Sequence, residues 1–271
     1  MRCWIVAGLL GLMAAPVAAH EFWLDPDPAV AAPGDSIAVR AFVGSELAGE
    51  ELGNFPSMQS TVDLFVGGQA SKVPGRLGDY PAFRLTPAAR GLHVLRYVSA
   101  PNTLTYDSYD KYLTFLVEAQ REDLAAVHDA RGLPREGIRE MYYRYAKALF
   151  AVGDAAGNDP VTGMPLELVA RDNPYQLGPS EPGGGSVSYE LLLGGQPLPQ
   201  AAVHVFVRAG DGVVTSLRLR TGADGRVDVP ATAAGFYVVN AIQIFPATPE
   251  MTEATGAAWV SLWASSTYTL R

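Results

Sequence analysis

In Ser36-Ile37-Ala38-Val39-Arg40-Ala41-Phe42-Val43, every second residue from Ile37 onwards is apolar. Successive side chains of a β-strand point to opposite faces, so these residues would share one face of a strand. The stretch follows Pro33-Gly34-Asp35, and these residue types favour turns. The pattern therefore predicts a half-buried strand that starts after a turn.

Three similar runs lie further along the chain, at residues 61–66, 93–98 and 112–117. The first of them ends at Gly67-Gly68, a pair that is typical of a hairpin turn. Short alternating runs separated by proline and glycine are typical of an antiparallel sandwich. We therefore predict that residues 20–117 form a first β-sandwich.

The N-terminal residues have the pattern of a secretory signal peptide. Arg2 supplies a positive charge, residues 4–13 form an apolar segment, and Val17-Ala18-Ala19 has the small residues of a cleavage site. Cleavage would remove residues 1–19 and leave His20 as the first residue of an exported protein, periplasmic in a Gram-negative host. Cys3 is the only cysteine and would leave with the signal, so we expect neither disulfide bonds nor cysteine ligands.

Composition narrows the classes of partner. The chain has 271 residues and a formal net charge of −8, and an acidic surface disfavours nucleic acid and anionic membranes as partners. After the signal, no run reaches about 18 apolar residues, so we expect no membrane insertion of the mature chain. The roughly 250 residues that remain suffice for two ordinary domains.

Residues 118–153 have a helical period instead. Residues 122–131 would form a short helix, and Pro134 would open a longer one, because proline is tolerated in the first turn of a helix. We predict a buried apolar stripe on the longer helix and a solvated face with Arg139, Arg144 and Lys147. The stripe consists of residues spaced by three or four positions: Ile138, Met141, Tyr142, Tyr145, Leu149 and Val152.

The remainder of the chain returns to the strand pattern. Residues 154–185 are rich in turn residues and end in Pro182-Gly183-Gly184-Gly185, which predicts an irregular linker. Strand-like runs then predict a second, Ig-like sandwich over residues 186–271; they lie at 186–193, 202–208, 213–221, 225–229, 236–244 and 259–270. The predicted fold class is mainly β, with two antiparallel sandwiches joined by a helical segment and a Gly/Pro-rich linker.

An ordered set of short sequences extends through most of the chain: His20-Glu21-Phe22-Trp23-Leu24, residues 142–149, residues 163–169, Asn173-Pro174-Tyr175 and Trp263-Ala264-Ser265. With this set the chain resembles a bacterial periplasmic domain-of-unknown-function family that is described as a soluble component of nickel or cobalt uptake. The resemblance implies a two-part β-rich protein that binds a divalent transition metal and delivers it to a membrane transporter. The part from Ser186 to Ile244 also resembles the transthyretin-like or Ig-like modules that are appended to carboxypeptidases and surface proteins. Such modules usually have a structural or binding role and catalyse no reaction themselves.

A terminal His20 would have a chemistry that an internal histidine lacks. Its free α-amine, with a pKa of about 8, and its imidazole Nδ1 can hold one metal ion as a chelate. We predict His93 as its partner ligand, because His93 begins a strand of the same predicted sandwich. His128 is expected at the surface, and His204 is expected to face solvent or a domain interface.

The oxygen ligands that we consider are Glu21, Asp25 and the pair Asp107 and Asp110. A terminal nitrogen site completed by a carboxylate would favour nickel, cobalt or zinc, whereas a second imidazole would suit copper better. We therefore expect a divalent transition-metal ion as cofactor, with nickel or cobalt favoured and copper or zinc as alternatives.

The sequence has no motif of hydrolytic or phosphate chemistry, since it lacks a Gly-x-Ser-x-Gly elbow, a His-Glu-x-x-His helix and a P-loop. We therefore expect a metal-binding protein without enzymatic activity. Two alternatives remain open. One is a metal-free adhesion or scaffold protein, and the other is a copper-dependent oxidative enzyme that uses the same terminal chelate on a β-sandwich.

Overall fold

The computed structural model describes residues 21–177 and 185–271. The predicted signal peptide, His20 and most of the predicted flexible joint lie outside the described residues.

The first part of the described chain consists of short strands and turns, as the alternating pattern predicts. In the strand that contains Ile37, Val39 and Ala41, these three residues are buried and their neighbours Ala38 and Arg40 are partly exposed. The strands are β1 (Glu21–Asp27), β2 (Val30–Ala31), β3 (Ile37–Ser45), β4 (Ala48–Leu52), β5 (Gln59–Val66), β6 (Gln69–Lys72), β7 (Phe83–Leu85), β8 (Gly91–Ser99) and β9 (Asn102–Tyr106).

Two helices follow, and then the chain returns to strands. The helices are α1 (Tyr109–Glu118) and α2 (Asp123–Ala130), and the next strands are β10 (Ile138–Val152) and β11 (Leu166–Ala170). The side chain of Ser108 caps α1 by accepting a hydrogen bond from the backbone N–H of Lys111. None of the helices in the described residues combines the length and the apolar composition that spanning a bilayer requires.

The last part of the chain contains long strands and one further helix. Its elements are β12 (Gly185–Leu193), β13 (Gln196–Pro197), β14 (Ala202–Ala209), β15 (Val214–Arg220), β16 (Arg226–Ala231), β17 (Gly235–Pro246), α3 (Pro249–Thr255) and β18 (Trp259–Leu270). The strands that the sequence predicts between Ser186 and Leu270 are all present.

A ten-stranded sheet is the centre of the structure. Its order is β15-β14-β17-β18-β10-β8-β5-β6, and β2 and β9 pair with further parts of β10. β10 and β18 lie side by side and parallel, with Glu140 opposite Trp259 and Ala148 opposite Thr267. Strands from both predicted sandwiches therefore meet in one sheet.

Two smaller antiparallel sheets cover opposite faces of the large sheet. Neighbouring residues of β10 show this arrangement, because Phe150 packs with the sheet of β1, β3, β4 and β7, whereas Leu149 packs with the sheet of β11, β12, β13 and β16. Helices α1 and α2 lie on the same face as Phe150, where Phe115 packs against Trp263. The prediction of a mainly β fold built from antiparallel sheets in a sandwich arrangement is confirmed.

Two predictions of secondary structure are wrong. The helix predicted after Pro134 is the strand β10, and residues 112–117, predicted as a strand, belong to α1. β10 is buried on both faces over most of its length. Such a strand is apolar at nearly every position, so spacings of three and four occur without a helix. The short helix predicted at residues 122–131 is confirmed by α2.

The solvated face predicted for Arg144 and Lys147 is also wrong, because both side chains are buried. The Nζ atom of Lys147 lies 2.9 Å from Asp159 Oδ1 and 2.7 Å from Glu167 Oε1. The same ammonium donates to the backbone oxygen of Pro160. This buried ion cluster attaches the irregular segment after β10 to the large sheet. Arg139 is exposed, as predicted.

Candidate functional site

A small cavity lies where β1, the helices and the large sheet meet. It has a volume of about 10 Å³, which matches one water-sized particle. We call it the Glu21 pocket. The residues that matter for its chemistry are Glu21 at the start of β1, Glu118 and Gln120 at the end of α1, and His204, Asn240 and Ile242 on β14 and β17.

Strands β14 and β17 direct two polar side chains into the Glu21 pocket. Val203 and Val205 are buried in the core on one face of the large sheet, so His204 between them points to the other face. His204 is opposite Asn240 in the β14–β17 register, and both line the cavity. Two largely apolar strands therefore bring an imidazole and an amide side by side.

The amide of Asn240 has an unsatisfied acceptor. Asn240 is only 3% exposed, and its Oδ1 has no hydrogen-bond partner within the described part of the chain. Glu21 Oε2 is buried and lacks a partner in the same part of the chain. A buried acceptor without a donor costs about 1–3 kcal/mol. A cation, or a water molecule bound to it, would satisfy these oxygens.

Carboxylates concentrate negative charge at the Glu21 pocket. Burial, together with the nearby carboxylates of Glu118 and Glu46, raises the pKa of Glu21 to about 7, although Arg144 acts in the opposite direction. Glu118 lies at the exposed rim of the pocket, where partial desolvation raises its pKa and the charge of Arg218 opposes this shift. Glu118 is the last residue of α1, where the helix dipole is unfavourable for an anion. A cation in the pocket would relieve these repulsions.

The imidazole of His204 is kept in its neutral form. Burial lowers the pKa of His204, and the positive charge of Arg218 lowers it as well, whereas Glu46 raises it. Neutral imidazole is the form that binds metal ions. The pocket therefore contains a neutral nitrogen donor beside carboxylate oxygens.

A strained turn holds Glu46 within electrostatic reach of Glu21 and His204. Glu46 and Leu47 lie between β3 and β4 and have φ angles of 52° and 61°, in the left-handed region that residues other than glycine avoid. The side chain of Leu47 packs on the cluster that contains Trp23 and Phe206. Strained backbone of this kind occurs often at functional sites.

His93 lies away from the Glu21 pocket. Its side chain is fully buried, and the ring stacks on Phe150, its neighbour across the β8–β10 register. Phe150 is about 20 Å along β10 from Arg144, at the rise of a strand, and Arg144 packs on Phe22 next to the pocket. Metal–nitrogen bonds are about 2 Å long. His93 is therefore too far from the Glu21 pocket to bind the same ion as a ligand next to Glu21.

His128 is buried, so the expectation that it lies at the surface is wrong. Its Nδ1 accepts a hydrogen bond of 3.1 Å from the indole Nε1–H of Trp259. Nε2 therefore carries the proton and donates to the backbone oxygen of Pro134 at 3.0 Å. Both ring nitrogens are used, and His128 has a structural role in the core beneath the helices.

The other predicted oxygen ligands do not enter the pocket. Asp25 is buried and lies 3.0 Å from the guanidinium of Arg208. Asp107 pairs with Lys111 on the exposed side of α1, where Asp110 belongs to the first turn of the helix. Of these carboxylates, Glu21 alone lines the cavity.

His20 lies outside the described residues. Within residues 21–177 and 185–271, no group of three or more His, Cys, Asp or Glu side chains is arranged to hold a metal ion.

Three polar pocket residues, Glu118, Gln120 and Asn240, are absent from the predicted site residues. Asn240 interrupts the apolar run Tyr237-Val238-Val239-Asn240-Ala241-Ile242, and a polar residue within a buried strand is a signal that the sequence does contain. Glu118 has no such signal, because only the packing of α1 brings it near β1.

Comparisons with known proteins yield a family and no function. A family model described as a domain of unknown function (DUF4198) matches residues 17–244, and no curated protein matches the chain.

The chain was also compared with solved structures. A tetra-tandem repeat from the extending region of a large adhesion protein is 13% identical with a TM-score of 0.23, and the match covers 92% of this chain and 49% of that one. The D0-D1 domain of intimin is 11% identical with a TM-score of 0.21, over 92% and 97% of the two chains. A Salmonella alpha-2-macroglobulin mutant is 15% identical with a TM-score of 0.23, over 99% and 15%. The chain thus spans about half the length of the adhesion protein fragment, and superpositions this poor carry no argument about function.

Proposed function

The chain belongs to the DUF4198 family, and we propose that it binds a divalent transition-metal ion at the Glu21 pocket. The observation that carries the proposal is the convergence of Glu21, Glu118 and His204 around a cavity of about 10 Å³ with the unsatisfied oxygen of Asn240 in its wall. Carboxylates, a neutral imidazole and a cavity of one-ion size together form a suitable environment for such a cation.

The remaining ligands come from the mature N-terminus. Removal of residues 1–19 makes His20 the first residue, and its α-amine and imidazole chelate the ion. Glu21, the residue that would follow His20 in the mature chain, lines the pocket. The signal sequence and the pocket thus support the same position for the metal.

The protein acts as an exported, periplasmic metal-binding component without catalytic activity. Its role is in the uptake of nickel or cobalt, with a membrane transporter as partner, or in metal homeostasis. The resemblance of the ordered sequence set to soluble components of such uptake systems supports this role. The size of the pocket, about 10 Å³, supports the binding of an ion in preference to an organic substrate.

Isothermal titration with Ni²⁺, Co²⁺, Cu²⁺ and Zn²⁺ tests the proposal. The correctly processed protein, with its terminus verified by mass spectrometry, is compared with a form that carries one additional N-terminal alanine. We expect the processed form to bind and the extended form to lose at least about tenfold in affinity, which corresponds to about 1.4 kcal/mol. Equal binding by both forms would refute the terminal chelate, and absence of binding by both would favour the metal-free scaffold.

A further inference from the structure

A second cavity lies between α2, the start of β10 and the loop that follows α3. Its volume is about 160 Å³, and it has no lining residue in common with the Glu21 pocket. We call it the Arg131 pocket. Its lining includes Arg131 and Arg139, but no aspartate or glutamate of the described ranges. Two cations without an anion thus line one cavity, in a chain whose formal net charge is −8.

Both guanidinium groups of the Arg131 pocket are oriented by the same short segment of the chain. Arg131 donates to the backbone oxygen of Ala258 at 3.0 Å, and its guanidinium carbon lies 4.8 Å from the centre of the Trp259 ring, where a cation is attracted to the ring face. Arg139 donates to the backbone oxygen of Thr255 at 2.7 Å. The segment from Thr255 to Trp259 therefore holds two long side chains in defined positions.

Neither guanidinium has a carboxylate partner within the described part of the chain. Arg135 shows the contrast, because it pairs with Asp129 at 2.9 Å. A guanidinium has five N–H donors, so one described hydrogen bond each leaves donors of Arg131 and Arg139 for a ligand. His128 also lines the cavity, but both of its ring nitrogens are used. The two arginines are therefore the groups that would bind an anion.

From this arrangement we infer that the Arg131 pocket binds a small organic carboxylate. The planar fork of a guanidinium matches a carboxylate with two parallel hydrogen bonds. Both arginines are exposed, so a ligand reaches them from solvent. The inference goes beyond the proposed function and does not depend on metal in the Glu21 pocket.

The walls of the Arg131 pocket specify the body of the ligand. Leu133, Ile138 and Ala258 line it beside the arginines, and these apolar side chains suit an aliphatic group better than a bare inorganic anion. An engineered cavity of about 150 Å³ holds benzene. The part of the ligand that enters the pocket therefore has about six non-hydrogen atoms.

Nuclear magnetic resonance of the processed protein, labelled with ¹⁵N-arginine, tests this inference without any substitution. Butyrate is the probe, butan-1-ol has the same aliphatic body without the charge, and inorganic phosphate has charge without the body. We expect millimolar butyrate to shift the Nε–H signals of Arg131 and Arg139, and butan-1-ol to leave both unchanged. Phosphate should bind at least about tenfold more weakly than butyrate.

Substitutions then test the two arginines separately. Arg131→Gln and Arg139→Gln should each weaken butyrate binding at least about tenfold, because each removes hydrogen bonds assisted by charge. The matched control is Arg84→Gln, which removes the same charge from an exposed guanidinium that donates to the backbone oxygen of Tyr80. It should keep the wild-type affinity. Circular dichroism of the ligand-free variants shows whether they are folded, and the signal shifts in the wild type do not depend on the variants.

Three results would overturn the inference. The first is the absence of a shift in the signals of both arginines at tens of millimolar butyrate. The second is equal binding of phosphate and butyrate, which would indicate unspecific pairing with surface cations. The third is equal weakening of butyrate binding by Arg84→Gln. Each of these results leaves the metal titrations unaffected, because they concern a different cavity.

Discussion

The ammonium of Lys147 lies 2.7 Å from the carboxylate of Glu167, and neither side chain reaches solvent. The same ammonium lies 2.9 Å from Oδ1 of Asp159. Glu167 also accepts hydrogen bonds from the backbone N–H groups of Thr162, Gly163 and Met164. The buried ammonium and both carboxylates thus have ion-pair and hydrogen-bond partners. These contacts fix the loop that leads into β11.

We predict that Lys147→Met destabilises the protein by about 3–5 kcal/mol, because it leaves two buried carboxylates without a cation. Urea unfolding followed by circular dichroism measures the change. The matched control is Lys111→Met, which removes a half-exposed partner of Asp107 and should cost less than about 1 kcal/mol. Similar small effects for both variants would contradict the structural role of the cluster.

Stability should depend on pH through Glu140. Burial raises the pKa of Glu140 from 4.5 to about 7, against the opposing effects of Ser261, Tyr106 and Arg144. Between these two values the folded protein keeps the proton that the unfolded chain has released, so stability falls as pH rises. The loss is on the order of 3 kcal/mol across this range.

Glu140→Gln should therefore flatten the dependence of the unfolding free energy on pH between about pH 4.5 and pH 7. Glu21 contributes in the same direction, so the slope is reduced and not abolished. The control Glu136→Gln removes an exposed carboxylate and should keep the slope of the wild type. A Glu140→Gln variant with the wild-type slope would show that Glu140 ionises normally in the folded protein.

The two buried asparagines, Asn240 and Asn54, should respond in opposite ways to leucine. Asn54 donates to the backbone oxygen of Ala82, so Asn54→Leu should destabilise by about 1–3 kcal/mol. Asn240→Leu removes an acceptor that has no partner in the described ranges, so it should be neutral or stabilising in metal-free protein. Thermal melts with and without Cu²⁺ or Ni²⁺ measure both effects.

In the same melts, Asn240→Leu should lose the stabilisation that metal gives to the wild type, because leucine fills the cavity. Asn54→Leu should retain that stabilisation. A metal-free Asn240→Leu protein that melts well below the wild type would mean that the amide is satisfied in the folded state.

The bond between Trp259 and His128 can be tested by a double-mutant cycle. His128→Leu leaves the buried indole N–H without an acceptor and should cost about 1–3 kcal/mol. In a Trp259→Phe background no indole N–H remains, so the same substitution should cost less. Equal costs in the two backgrounds, measured by urea unfolding, would exclude coupling between the side chains.

Alternation along short strands made most of the β-structure predictable from sequence. In β3, β14 and β16 every second residue is apolar and buried on one face, and this period of two is visible locally. β10 was not predictable in this way, since it is covered on both faces. Its neighbour β18 is distant in sequence, and no local pattern indicates that the two strands pair.

The candidate site was only partly predictable for the same reason. The predicted cleavage site indicates the start of the described chain, and therefore the neighbourhood of Glu21, as a region to examine. The partner residues Glu118, His204 and Asn240 are brought together by long-range packing. His93 lies in β8 opposite Phe150, about 20 Å along β10 from Arg144, and only the strand register shows this separation from the Glu21 pocket.

The parallel pairing of β10 with β18 constrains how the protein is made. The chain is synthesised from its N-terminus, so β10 is made while one of its edges is still open and β18, its partner, is still to come. The unpaired backbone N–H and C=O groups at the open edge of β10, a strand rich in tyrosine and alanine, can pair with other chains. The strands of the first and last parts of the chain therefore cannot complete the large sheet independently. A chain truncated before Trp259 would lose β18, which joins β10 to β17 in that sheet. We conclude that the unpaired edge of β10 is most exposed to other chains in the interval between the synthesis of β10 and that of β18.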